Sequence, residues 1–171
     1  MRDKVCRAEY LEGVTIMETL RNDAYEYALL IKRELIALET LLDNWAEIEE
    51  DTERVRNGDA PDMDSDLLAE CVDAQNELGL NEWPEDYADV VGNYLNDTCL
   101  ELTVLRAVNE DSDRARIEIL RTCGGPRCDI TRDTNDGNII EIVVHSGSDS
   151  STVRVNVGTL AATLDELAGC Y

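Results

Sequence analysis

Apolar side chains recur at Met17, Leu20, Ala24, Tyr27, Ile31, Leu38, Leu41, Trp45 and Ile48. The steps alternate between three and four residues, the spacing of one helical face. The series is interrupted only at Glu34, where Leu35 takes over. Thr15-Ile16-Met17-Glu18 has the form of a capping box, with Thr15 as N-cap and Glu18 reaching back to it. Neither Gly nor Pro follows before Gly58, so the pattern predicts one helix of nearly forty residues, about 55–60 Å long. A compact chain of this size has a radius of gyration of about 15–16 Å. Such a rod must project, bend or pair with something.

Asn57-Gly58-Asp59-Ala60-Pro61 breaks the pattern. A second helix is predicted to begin near Asp64 or Ser65, with Leu67, Leu68, Cys71, Val72 and Leu78 inward and Gly79 at its C-terminal end. A third starts at Pro84, the favoured first helical position, with Tyr87, Val90, Val91, Tyr94 and Leu95 inward. At Asp97 the period changes to two: Leu100, Leu102 and Val104 alternate with Glu101 and Thr103, as in a half-buried strand. Further strands are predicted over 115–122, 128–133, 138–145 and 152–157. They are separated by turn signals at Asp111-Ser112-Asp113, Gly124-Gly125-Pro126, Asn135-Asp136-Gly137 and Ser146-Gly147-Ser148. Links this short suit an antiparallel meander. A last helix near 159–168 places Leu160, Leu164 and Leu167 together to cover one sheet face. Helices first and strands second define an α+β fold. Its helical region is 1–97 and its sheet region 98–171, together one folded unit.

Composition refines this picture. In 171 residues, 43% are apolar, with no Phe and two Trp, so the core must be aliphatic. No apolar run approaches the roughly 20 residues that span a bilayer, and Met1–Gly13 lacks the apolar centre of a signal peptide. The expectation is a soluble, cytoplasmic protein. Charge changes the picture most. The net charge is −23, and residues 43–101 hold nineteen acids against two bases, Arg54 and Arg56. Between Arg56 and Arg106 there is no Lys or Arg at all. Such acidity disfavours bare nucleic acid and anionic membranes as partners. One-sign fields also destabilise a compact chain through self-repulsion.

Three readings fit the acidic block: a solvated helical face, halophilic adaptation, or imitation of a phosphate backbone. Halophilic acidity would coat the whole surface, yet the other 112 residues carry only nineteen acids against thirteen bases. The unevenness favours a localised site for a basic, nucleic-acid-binding partner. Other motifs carry less. Asp62-Met63-Asp64-Ser65-Asp66 opens like a calcium loop, but Leu67 stands where such a loop needs Gly. Six cysteines contain no C-x-x-C and accompany a single His, His145, which is poor zinc chemistry. They read as free core thiols. Gly124-Gly125-Pro126 lacks the following helix of a phosphate loop. His145-Ser146 lacks the nucleophile elbow and third partner of a hydrolase.

The second half is an ordered series: Asn93-Tyr94-Leu95-Asn96-Asp97, a strand, Arg121-Thr122-Cys123-Gly124-Gly125-Pro126, Asp129-Ile130 with Asp133-Thr134, a Glu-containing strand and a closing helix. Over about residues 90–171 it resembles small acidic proteins of uncharacterised function carried by phages and mobile elements of gut bacteria. Val143-Val144-His145 departs from the aromatic pair that such relatives carry after the turn. The resemblance implies a sheet with a C-terminal helix and no known catalytic residues. By analogy, some members of this class resemble anti-CRISPR proteins, which block a nuclease's nucleic-acid channel.

The expectation is therefore a non-catalytic inhibitor without a cofactor. Its carboxylates would occupy Lys/Arg sites meant for phosphates, as on a CRISPR effector nuclease, inside a phage-infected or mobile-element-bearing bacterial host. The expected contact residues are Glu47, Glu50, Asp51 and Glu53 at the end of the first helix. With them come Asp62, Asp66, Glu70, Asp73, Glu77, Glu85, Asp86 and Asp89 on the next two. The alternative is a homodimeric assembly protein that pairs through its long helix, with acidity serving solubility or a halophilic host.

Overall fold

The computed structural model describes residues 3–80, 87–106, 115–122 and 126–169, with side chains from residue 23 in the first helix and from 89 in the fourth. The order is α1 (Asp3–Asp43), α2 (Trp45–Arg56), α3 (Ser65–Glu77), α4 (Tyr87–Thr98), β1 (Glu101–Arg106), β2 (Ala115–Thr122), β3 (Arg127–Asp133), β4 (Ile139–Ser146), β5 (Asp149–Asn156) and α5 (Gly158–Gly169). The five strands form one antiparallel sheet in the order β1-β2-β3-β4-β5. The fold is α+β, as the change of period from helical to two requires. Among the described residues no helix is long and apolar enough to cross a membrane.

The first helix differs from expectation at both ends. It starts at Asp3, so Thr15 lies inside it and the capping box does not begin a helix. Lys4, Arg7, Ala8, Glu9, Leu11 and Glu12 are good helix formers, and the single Gly13 costs only about 1 kcal/mol. At the other end the rod breaks at Asn44, with φ −108 and ψ 16. The Asn44 side-chain amide donates to the Thr40 carbonyl at 2.8 Å, beside the main-chain N–H that reaches the same oxygen at 3.3 Å. An Asn amide that competes for a helix carbonyl bends a helix.

Between residues 24 and 48 the rod does not project. Ala24, Ile31, Leu35, Leu38, Leu41, Trp45 and Ile48 are buried in the chain's own core, joined by Ala28, Ala37 and Leu42. The stripe is wider than one face because α1 packs on β4, β5 and α5 on one side and on α3 and α4 on the other. From residue 24 to 48, then, the apolar face that a helix-paired dimer would need is already covered. Met17 and Leu20 lie outside the described side chains.

One sheet face is apolar. Leu102 pairs with Ile119, Val104 with Ile117, Ile119 with Ile130, Ile130 with Ile142, and Ile140 with Val155. This face receives α1 and α5, and Ile140, Ile142, Leu160 and Leu164 are almost fully buried there. Burying each such side chain contributes about 1.5–3 kcal/mol. Arg132 also points inward and is 4% exposed; two of its guanidinium nitrogens reach the Asp165 carboxylate at 3.1 and 2.7 Å. The other face alternates polar and apolar and stays open. It carries the ion pairs Arg116–Glu118, Arg127–Asp129 and Arg154–Glu141 at 2.8, 2.8 and 2.9 Å.

Two inward assignments are corrected. Val72 is 38% and Leu100 60% exposed. On α3 the inward side follows Leu67, Cys71, Ala74 and Leu78, which places Val72 off the stripe. Leu100 precedes β1, where its N–H still donates to the Leu120 carbonyl at 2.8 Å. The turn signals at Asp111-Ser112-Asp113 and Gly124-Gly125 lie outside the described residues, as does Pro84.

Candidate acidic interface

α2 and α3 end alike. Gly58 (φ +90) and Gly79 (φ +67) each follow a C-cap residue, and the next residue's N–H closes back, Asp59 on the Arg54 carbonyl and Leu80 on the Gln75 carbonyl, both at 3.0 Å. These left-handed closures suit glycine and stop each helix cleanly. At the start of α3 the Asp64 carboxylate accepts from the N–H groups of Asp66 and Leu67 at 2.9 and 3.3 Å. The stretch that opened like a calcium loop is thus a capped helix start, with Leu67 in the first turn.

On α3, Asp66, Glu70, Asp73 and Glu77 are exposed and spaced by four, three and four residues, so they lie on one face over about 16 Å. Glu47, Glu50 and Glu53 are exposed on α2. Burial foremost, then Glu70 and Glu47, raise the pKa of the Cys71 thiol, which places a carboxylate from each helix within electrostatic reach of one buried sulfur.

Two expected contact residues have structural work of their own. Asp51 is half-buried and accepts from the N–H groups of Asp62 and Met63 at 2.6 and 3.1 Å, tying α2 to the loop before α3. Asp62 belongs to that loop, not to a helix, and its exposed carboxylate sits 3.3 Å from Arg54. Asp89 is half-buried in the first turn of α4. Glu85 and Asp86 lie outside the described residues. Folding also brings Arg33 of α1 to Glu77 at 3.6 Å. The segment without bases is therefore not wholly unanswered in space. Among the described residues no ion pair reaches Asp66, Glu70 or Asp73.

A second cluster escaped the sequence reading. Glu34 of α1, Tyr94 of α4 and Arg121 of β2 meet in the interior, with both charged side chains nearly buried at 12% and 13% exposure. Arg121 donates to the Glu34 carboxylate and to the Tyr94 hydroxyl, the latter at 2.7 Å, and Tyr94 donates to Glu34 at 3.1 Å. The guanidinium also stands 5.4 Å from the Tyr94 ring centre. Burial works against the charge on Arg121, but the bond to Glu34 and the neighbouring Tyr94 outweigh it and raise its pKa. Beside it, burial pushes the Cys128 thiol up to about 11, which keeps it protonated and unreactive. The arrangement binds three elements together and offers no activated nucleophile. Glu34, the one break in the apolar stripe, was the available signal. Among the described residues, no three His, Cys, Asp or Glu side chains converge as a metal site. No protein-family model, curated protein or solved structure matches the chain.

Proposed function

We propose that the chain is a non-catalytic binding protein whose acidic helices imitate a nucleic-acid backbone and occlude the Lys/Arg channel of a nucleic-acid-binding protein, such as a CRISPR effector nuclease. The carrying observation is a contrast between the two halves. Arginine partners answer acids on the open sheet face at 2.8–2.9 Å, whereas Asp66, Glu70 and Asp73 stand exposed on one helical face with no such partner among the described residues. Basic channels bind phosphates mainly by charge and counterion release, and a fixed row of carboxylates competes for the same side chains. The packing of α3 on α1 supplies the mount.

The test uses immobilised wild-type chain and an Asp66→Asn, Glu70→Gln, Asp73→Asn, Glu77→Gln variant as baits in a nuclease-treated bacterial lysate. The expected result is a nucleic-acid-binding protein held by the wild type, released by added DNA or RNA, and not held by the variant. Neutralising Glu101, Glu118 and Glu141 on the sheet should leave capture intact. Capture that ignores the helical substitutions, or that nucleic acid does not displace, would overturn the reading.

A further inference from the structure

β1 lies at an edge of the sheet. β2 pairs with one side of it, and among the described residues no strand pairs with the other. The opposite edge strand, β5, exposes no large apolar side chain and has α1 packed on its inner face. An open edge offers unpaired N–H and C=O groups to another strand, and proteins blunt such edges with Lys, Pro, bulges or charge. Residues 100–106, Leu-Glu-Leu-Thr-Val-Leu-Arg, contain neither Lys nor Pro. Leu100 and Leu105, at 60% and 48% exposed, are two of the few exposed large apolar side chains among the described residues, and both belong to this edge.

The local charge admits a second copy. In a chain of net charge −23, β1 carries one acid and one base, and β2 beside it carries Arg116, Glu118 and Arg121. Arg116 is paired with Glu118 and Arg121 with the buried Glu34, so the edge is locally neutral and two copies meet there without the repulsion that the acidic helices would impose. The register is self-complementary as well. A twofold axis normal to the sheet keeps the helix-covered faces on one side, and then each residue must oppose one of its own parity. Centring the axis on Thr103 pairs the whole segment 100–106. Leu102 then opposes Val104 of the second copy on the covered side, and Thr103 opposes itself. Glu101 opposes Leu105, and Arg106 opposes Leu100. Apolar and Thr–Thr cross-strand pairs are favourable, and no like charges fall opposite each other. Centring on Val104 instead would set Arg106 against the half-buried Leu102.

We infer that β1 is the homodimer interface, joining two five-stranded sheets edge to edge in antiparallel register about Thr103. The dimer is reversible, since one short strand pair buries little surface, and it presents two acidic faces. It is independent of the function proposed above: either can fail without the other.

Sedimentation equilibrium of the full chain over a wide concentration range tests it. The expected mass rises from 19.1 kDa to twice that value. Leu105→Glu, which sets a carboxylate opposite Glu101 of the second copy at both ends of the pair, should hold the chain at monomer mass with an unaltered far-UV spectrum. Thr103→Cys reads the register, because residues facing across the axis have Cβ atoms about 4.5–5.5 Å apart, near disulfide range. Mild oxidation of that variant should give a dimer whose two copies are joined by a disulfide at the substituted position, identified by peptide mapping, with Leu105→Cys linking far less. A monomer at every concentration would overturn the inference. So would a dimer that survives Leu105→Glu, or one in which Leu105→Cys links as readily as Thr103→Cys.

Discussion

Glu34 sits among apolar neighbours on α1, and its charge is answered by Arg121 and Tyr94. Removing one member leaves a desolvated charge without a partner, which is more harmful than removing both. Arg121→Met should therefore cost about 3 kcal/mol, while Glu34→Leu combined with Arg121→Met should recover most of that loss. Urea unfolding of the single and double variants measures it; equal losses in both would show that the pair is not buried as a unit. The same cluster sets a pH response. Burial raises the pKa of Cys128 from 9.0 to about 11, opposed by Arg121, and burial likewise raises that of Tyr94. The folded chain thus keeps protons that the unfolded chain releases. The contribution is complete below about pH 9 and is lost as pH rises toward 11. The urea midpoint should fall through that window, and Cys128→Ala should flatten the slope.

Among the elements, α5 shows how one helix can complete another. Its first N–H groups, on Thr159 and Leu160, donate to the two carboxylate oxygens of Glu39 on α1 at 3.0 and 2.7 Å. Charged acceptors at a helix start satisfy orphan donors and favour the dipole. Glu39→Ala should cost about 2 kcal/mol, read as a lower melting temperature, and Glu39→Gln should cost less. No sequence pattern announces this contact, because the two residues lie 120 apart in the chain. What could be read was local: the period-two runs that became β2 to β5, the Asp64 cap, the glycine stop at Gly79. What could not be read depended on distant partners. The Asn44 bend needed a side chain to choose a carbonyl over solvent. The inward Arg132 of β3 needed Asp165 from α5 to accept it. Of the expected interface, the exposed row on α3 followed from helical spacing alone, but the diversion of Asp51 to the Asp62 and Met63 amides did not.

At the scale of the molecule, the question is whether the acidity serves a partner or a habitat. The charge is unevenly placed, with Glu118, Asp129 and Glu141 of the sheet paired and Asp66, Glu70 and Asp73 of the helical row unpaired among the described residues. Leu38, 1% exposed at the centre of the core, belongs to an interior that does not depend on counterions. Leu38→Asp should abolish cooperative unfolding at any salt concentration, since an unpaired buried carboxylate is costly. Exposed carboxylates behave differently. Their attraction to a basic groove is long-range, and the Debye length shrinks from about 10 Å at 0.1 M to about 3 Å at 1 M. Binding should therefore weaken steeply with added salt, chiefly through a slower on-rate. The isolated chain, melted in potassium chloride from about 0.05 M to about 2 M, should remain folded at the lowest concentration, with only a modest gain in melting temperature as screening relieves repulsion. A fold that collapses at low salt and returns only in molar salt would make the acidity a requirement of folding. The helical row would then lose its claim to be a site.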